Sequence, residues 1–185
     1  MDRVISCFRL LIFGVMSLLL ASCASNSLKP PGPEVQTILV LPFNATNSSS
    51  VPFGHYYEYQ ISAADSPETT VSIDLYLPGN GDYLLVDTLS PGTYYLRDLI
   101  NRRVGDGDRY NVNRSYTRND AIVLEQGTIT FFDYTLYVSQ RPSGTHGGKI
   151  YWSGNYQLNP TSSAHRERIL KQLRDLRYFE EWEVN

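Results

Sequence analysis

Three histidines, two cysteines and a few carboxylates are the residues of this chain that could do chemistry. His55, His146 and His165 stand far apart in no metal-ligand spacing, and neither H-E-x-x-H nor C-x-x-C occurs. His146 falls in Ser143-Gly144-Thr145-His146-Gly147-Gly148, which reads as a flexible hairpin loop, and His165 falls in the first turn of a C-terminal helix. No G-x-S-x-G is present to carry a serine nucleophile. Gly105-Asp106-Gly107-Asp108 sets carboxylates where a phosphate cradle needs backbone donors and a lysine. The segment Asp106 to Asn113 does place oxygen ligands at alternate positions, as calcium would accept. It lacks the downstream bidentate glutamate and carries Arg109 in its middle, so a solvated hairpin tip is the plainer reading. Asp133, inside Phe131-Phe132-Asp133-Tyr134, could be a carboxyl of raised pKa. A bulge or an outward-facing strand position suits it better, and the sequence puts no second carboxylate opposite it for glycoside hydrolysis. Fourteen tyrosines and two tryptophans suit strands. They could also furnish a sugar- or protein-binding patch from Tyr56, Tyr57, Tyr59 or Trp152. No catalytic, cofactor-binding or metal-binding residue is assigned, and the chain reads as a non-enzyme.

The chemistry that spacing does specify lies at the N-terminus. Arg3 and Arg9 precede an uncharged apolar run, Leu10 to Leu20, in the order of a secretory signal. Eleven helical residues rise only about 16 Å, short of the roughly 20 residues that span a bilayer. The run ends in Leu20-Ala21-Ser22-Cys23. This tetrapeptide resembles the lipobox of bacterial lipoproteins: a branched apolar residue, two small residues and the cysteine that is modified. The resemblance implies removal of residues 1–22, lipidation of Cys23 and attachment to a membrane through that residue. Several acyl chains at about 0.8 kcal/mol per buried methylene would anchor firmly. Ala24 is not the aspartate that retains enteric-type lipoproteins at the inner membrane, which favours the outer membrane facing the periplasm, although an anchor alone does not say which way the body faces.

With Cys7 removed and Cys23 under lipid, the remaining body holds no thiol and no disulfide and must be stabilised by a core. It has 163 residues (185 − 22), with 14 Lys+Arg (16 − 2) and 18 Asp+Glu (19 − 1), a net charge of −4. So mild and dispersed a charge argues against nucleic acid and against a polybasic membrane patch. One domain fits the length.

Residues 23–34 read as the lipidated cysteine and a proline-rich tether reaching at most about 30 Å. Residues 35–185 read as the body. Strand-like runs cover Val35 to Leu41, closed by Pro42, and then, after a polar loop from Asn44 to Gly54, His55 to Ile61. Further runs are Val71 to Leu77, Asp82 to Leu89, Thr93 to Arg97, Ile122 to Leu124, Thr128 to Val138 and Lys149 to Leu158. In Val71 to Leu77 the alternation sets Val71, Ile73, Leu75 and Leu77 on one face. Asn159-Pro160 then offers a cap and an N1 proline. Ile169, Leu170, Leu173 and Leu176 recur at helical spacing, giving an amphipathic helix over roughly 162–178, with Tyr178, Phe179 and Trp182 closing it onto the body.

Leu89-Ser90-Pro91-Gly92-Thr93-Tyr94-Tyr95-Leu96 resembles the L-x-P-G-x-Y-x-L turn of transthyretin-like and carboxypeptidase-regulatory-like modules. Leu124 to Phe131 is similar to a second element of small envelope lipoproteins carrying such domains, a glycine turn leading into an aromatic strand. Both are hairpin signatures. They imply an all-β, antiparallel β-sandwich (transthyretin/Ig-like) with a C-terminal amphipathic helix, and no site residues. The functional expectation is a non-catalytic envelope lipoprotein that presents its surface to another envelope protein. A peptidoglycan- or other glycan-binding module is the alternative, and an enzyme with an unrecognised site is the third. An exposed aromatic strip with polar neighbours would favour the glycan; a broad apolar patch would favour a protein.

Overall fold

The computed structural model describes residues 28–49, 52–77, 81–103 and 120–185. The signal segment, Cys23 and the candidate calcium loop Asp106 to Asn113 lie outside these residues.

The chain is all-β with one α-helix among the described residues. In order run β1 (Ile38–Asn47), β2 (His55–Ala63), β3 (Thr70–Leu75), β4 (Tyr83–Val86), β5 (Gly92–Arg103), β6 (Ala121–Leu124), β7 (Thr128–Phe131), β8 (Tyr134–His146), β9 (Lys149–Pro160), α1 (Ser163–Arg174), a 3-10 turn (Phe179–Glu181) and β10 (Glu183–Val184). A four-stranded antiparallel sheet has the order β3-β2-β5-β6. A six-stranded sheet has the order β10-β7-β1-β8-β9, with β4 also on β1. The expectation of a purely antiparallel fold is corrected here, because β1 pairs in parallel with β7 and β8, and β10 in parallel with β7.

Strand alternation on β1 explains both layers. Leu39, Leu41 and Phe43 point into a core shared with Tyr57, Tyr59 and Ile61 of β2, Leu96 and Leu99 of β5 and Leu136 of β8. Ile38 and Val40 point the other way, into a second cluster with Ile129, Ile169, Leu173, Phe179 and Trp182. The larger sheet therefore packs against the smaller sheet on one face and carries the helix on the other.

Several local expectations change. β1 runs through Pro42 to Asn47, so Asn44 to Asn47 are strand rather than loop. Phe132 N–H donates to the Val40 carbonyl, which shows that the even residues turn their backbone groups toward β7. The donor missing at Pro42 falls on that side, between the last β7 pair at Val40 and the first β8 pair at Phe43. The run Thr128 to Val138 is one line of chain broken at Phe132-Asp133. Ile38 opposes Ile129, whereas Phe43 opposes Leu136, a two-residue excess on the β7–β8 side, and Asp133 is exposed within it.

Both family-like motifs join sheets instead of forming hairpins. Leu89 to Leu96 leads from β4 in the larger sheet to β5 in the smaller, and the Tyr94 hydroxyl closes the turn by donating to the Ser90 carbonyl at 2.9 Å. Leu124 to Phe131 leads back from β6 to β7 through Gly127, whose φ of +78° suits glycine.

The Ser143 to Gly148 loop shrinks to Gly147-Gly148, both at positive φ, with His146 paired to Lys149. Asn159 and Pro160 finish β9, an edge strand that tolerates proline. Ser162 caps the helix instead, its hydroxyl accepting from His165 N–H at 3.2 Å. The helix ends at Arg174, a turn early, and Tyr178 at φ +69° redirects the chain so that Phe179 and Trp182 are buried against it.

The N-terminal segment differs most. Leu28 is 2% exposed, in the cluster with Trp182. Trp182 Nε1 donates to the Lys29 carbonyl at 2.9 Å, Lys29 pairs with Asp87 at 2.8 Å, and Gly32 N–H donates to the Val35 carbonyl. Residues 28–34 thus lie on the body as a strap, which leaves 24–27 as the remainder of the expected tether.

Candidate functional site

The histidines do not converge. His55 Nδ1 lies 2.8 Å from Asn101 Oδ1 on the smaller sheet, His146 is exposed at the end of β8, and His165 is buried under the helix. Among the described residues, no group of three or more His, Cys, Asp or Glu is placed to hold a metal ion.

His165 does stand between a carboxylate and a hydroxyl. Nδ1 is 3.3 Å from Thr135 Oγ1, and Nε2 is 3.9 Å from Asp82 Oδ1 with no hydrogen-bond partner among the described residues. Asp82 accepts two bonds from Arg168, at 2.9 and 3.0 Å, and one from Gln172 at 2.8 Å. Burial raises the Asp82 carboxyl, but these donors and the nearby cations outweigh it and hold the pKa below its usual range. Burial, reinforced by Arg168 and only partly opposed by Asp82, lowers the pKa of His165. Thr135 is fully buried, so no substrate can reach its hydroxyl. The cluster pins α1 to Asp82, just before β4, and to β8.

On the outer face of the smaller sheet Glu58 is a polar hub. Ser72 Oγ donates at 2.7 Å, Gln60 Nε2 at 2.8 Å, and Arg102 Nε completes an ion pair. Burial raises the Glu58 carboxyl, and these bonds with the Arg102 charge more than reverse that, so its pKa is lowered. Tyr56 and Tyr76 stack alongside with ring centres 4.7 Å apart. The suggested patch of Tyr56, Tyr57, Tyr59 and Trp152 is not one surface. Tyr57 and Tyr59 point into the core, burial pushing the Tyr57 hydroxyl up to about 12 against the opposing bond from Gln140. Trp152 covers Gly54, where a Cβ would collide with its ring.

Asp133 shares a crevice of about 210 Å³ with Asp120, Arg166 and Asn185. Both carboxylates are exposed; Tyr134 donates to Asp120 at 2.6 Å, and Arg166 lies over the Phe131 ring.

The most site-like feature is elsewhere. Along the helix-covered face β1 reads Ile38, Val40, Pro42, Asn44, Thr46. The residues are apolar beneath α1 and polar beyond it, where sheet is left uncovered. Pairing extends this change across three strands: Asn44 opposes Tyr137, which opposes Gln157, and Thr46 opposes Ser139, which opposes Asn155. These two rows floor an open groove of about 650 Å³ that Val138 and Tyr156 also line, a volume typical of ligand clefts. Thr46 Oγ1 donates to the Val138 carbonyl at 3.3 Å. Among the described residues, no carboxylate, imidazole, thiol, amine or guanidinium lines the groove. It offers amides that donate and accept, hydroxyls that do both, and the half-buried ring of Tyr137. Such a surface can hold an uncharged polar ligand.

Comparisons with protein-family models, with curated proteins and with solved structures return no match. The groove residues escaped the sequence reading because Asn44 and Thr46 read as loop once Pro42 was taken as the end of β1. Continued past Pro42, the alternation would have set both on the face of Ile38 and Val40.

Proposed function

We propose that this chain is a lipid-anchored, non-catalytic binding lipoprotein of the bacterial envelope, held to a membrane through Cys23, and that it binds a glycan. The observation that carries the ligand class is the groove whose described lining is amides, hydroxyls, Val138 and two tyrosines, without a charged group. Saccharides present the matching chemistry: neutral hydroxyls to bond and a C–H face to lay on an aromatic ring. The anchor rests on Leu20-Ala21-Ser22-Cys23, and the absence of aspartate at Ala24 favours the outer membrane facing the periplasm. A β-sandwich is supported by the core that the two sheets share. Its transthyretin- or Ig-like character rests on the resemblances of Leu89 to Leu96 and Leu124 to Phe131.

A second reading, docking of an envelope protein partner, is favoured by the exposed Ile150 and Tyr151 on the β8–β9 hairpin. Two pulldowns separate the readings, using a Cys23→Ser form directed to the periplasm by a replaced signal. Co-sedimentation with isolated peptidoglycan, without a specific protein after in-cell crosslinking, supports the glycan reading. One specific crosslinked protein with no sedimentation overturns it in favour of the partner. For the anchor, wild type must fractionate with membranes and Cys23→Ser with soluble protein; a soluble wild type would refute it.

A further inference from the structure

The strap fixes where the anchor must lie relative to the rest of the body. Five residue steps separate Cys23 from Leu28, so the lipidated residue lies within about 17 Å of Leu28 at roughly 3.3–3.6 Å per residue. Leu28 cannot drift from the body, being buried beside Trp182, whose indole N–H holds the Lys29 carbonyl. Trp182 is held in turn by the C-terminus, because β10 pairs with the start of β7, Glu183 opposite Thr128. The strap therefore sits at the end of the larger sheet where β1 and β7 begin. From there β1 and β8 run side by side in the same direction. β8 continues past the last β1 pair, Asn47 with Gln140, into the hairpin that turns at Gly147-Gly148.

We infer that the face around Leu28, Lys29 and Trp182 rests at the lipid headgroups, with the β8–β9 hairpin at the pole farthest from the membrane and the polar groove between them. This rests on the proposed lipidation of Cys23. The tether alone would impose the orientation. Lys29 is paired with Asp87, so the strap's own lysine is neutralised by the body and is not what draws this face onto anionic lipid. Trp152, opposite Pro142 on the hairpin, lies about 36 Å along the strands from the level of Ile38, at ~3.3 Å per residue. The chain's two tryptophans thus mark the two poles.

The test is energy transfer from tryptophan to a dansyl-headgroup lipid, with the lipidated protein in phosphatidylcholine–phosphatidylglycerol vesicles. Trp152→Phe leaves Trp182 as sole donor, and the difference from wild type gives the share of Trp152. The expected result is several-fold greater transfer from Trp182 than from Trp152, unchanged by added salt. Leu28→Asp in the Trp152→Phe background should free the strap, lengthen the tether from five steps to the twelve between Cys23 and Val35, and lower the transfer while the protein still floats with vesicles. Equal transfer from both tryptophans, or more from Trp152, overturns the orientation, as does a Leu28→Asp protein with undiminished transfer. A wild type that does not float overturns the anchor, and the orientation with it.

Discussion

Leu28→Ala tests whether the strap belongs to the fold. Leu28 is 2% exposed among Val35, Ile38, Phe179 and Trp182. The truncation removes apolar groups equivalent to about three methylenes, or about 2.4 kcal/mol at ~0.8 kcal/mol each. A cavity would raise the cost toward the upper part of the roughly 2–5 kcal/mol range of such changes. The strap is an end of the described chain, however, and can settle into part of the space, so about 2–3 kcal/mol is expected. In a domain of this size that lowers Tm by about 5–10 °C. The assay is urea unfolding of the Cys23→Ser form, followed by both tryptophan fluorescence and far-UV circular dichroism. The midpoint should fall at unchanged slope, and protease should cut earlier between residues 28 and 35. A loss below about 0.5 kcal/mol, the range of ordinary surface changes, would refute the docked strap and restore a tether running to Glu34.

Three further outcomes follow from the buried polar groups. The Tyr59 hydroxyl is buried with no hydrogen-bond partner among the described residues, so Tyr59→Phe should raise stability by about 1 kcal/mol; a loss in urea unfolding would mean that the hydroxyl is satisfied. The lowered pKa of His165 means that the unfolded chain takes up a proton before the folded one does. Stability is therefore complete above about pH 6.5 and declines below it until the folded-state pKa is passed. His165→Gln should flatten that part of the stability–pH curve, and an unchanged slope would remove His165 as its source. Glu58 behaves as a lowered carboxyl, its contribution complete above about pH 4.3 and lost as pH falls through the folded-state value. Glu58→Gln should cost about 1.5–3 kcal/mol at pH 7 and much less at pH 3; an equal cost at both would show that the charge is not what matters.

The elements were legible in the sequence where alternation or helical spacing was strong. Ile73 and Leu75 turn inward, with Leu77 packed at the margin of the same core, while Val71 is left exposed. Ile169 and Leu173 are buried with Leu170 and Leu176 beside them, and Asp133 occupies a break in its strand. What the sequence hid was non-local. Nothing in Leu89 to Leu96 tells a hairpin turn from a turn between sheets, because both need the same proline, glycine and tyrosine. Parallel pairing of β1 with β7 and β8 joins residues about ninety positions apart, beyond the reach of local propensity. The strap depended on Trp182, remote in sequence from Lys29, and so its prolines alone suggested an extended tether. The groove is assembled from β1, β8 and β9, and its polar residues become a surface only when the strands are in register.

The central claim is that the groove, uncharged among its described lining residues, holds a glycan, and the most direct measurement is titration of the Cys23→Ser protein with soluble neutral oligosaccharides of N-acetylhexosamine. Saturable binding is expected, weakened tenfold or more by Tyr137→Ala, in line with about 1.5 kcal/mol or more for a lost aromatic contact, and left intact by Tyr76→Ala on the opposite sheet. No binding, or binding that Tyr137→Ala leaves unchanged, would contradict the claim.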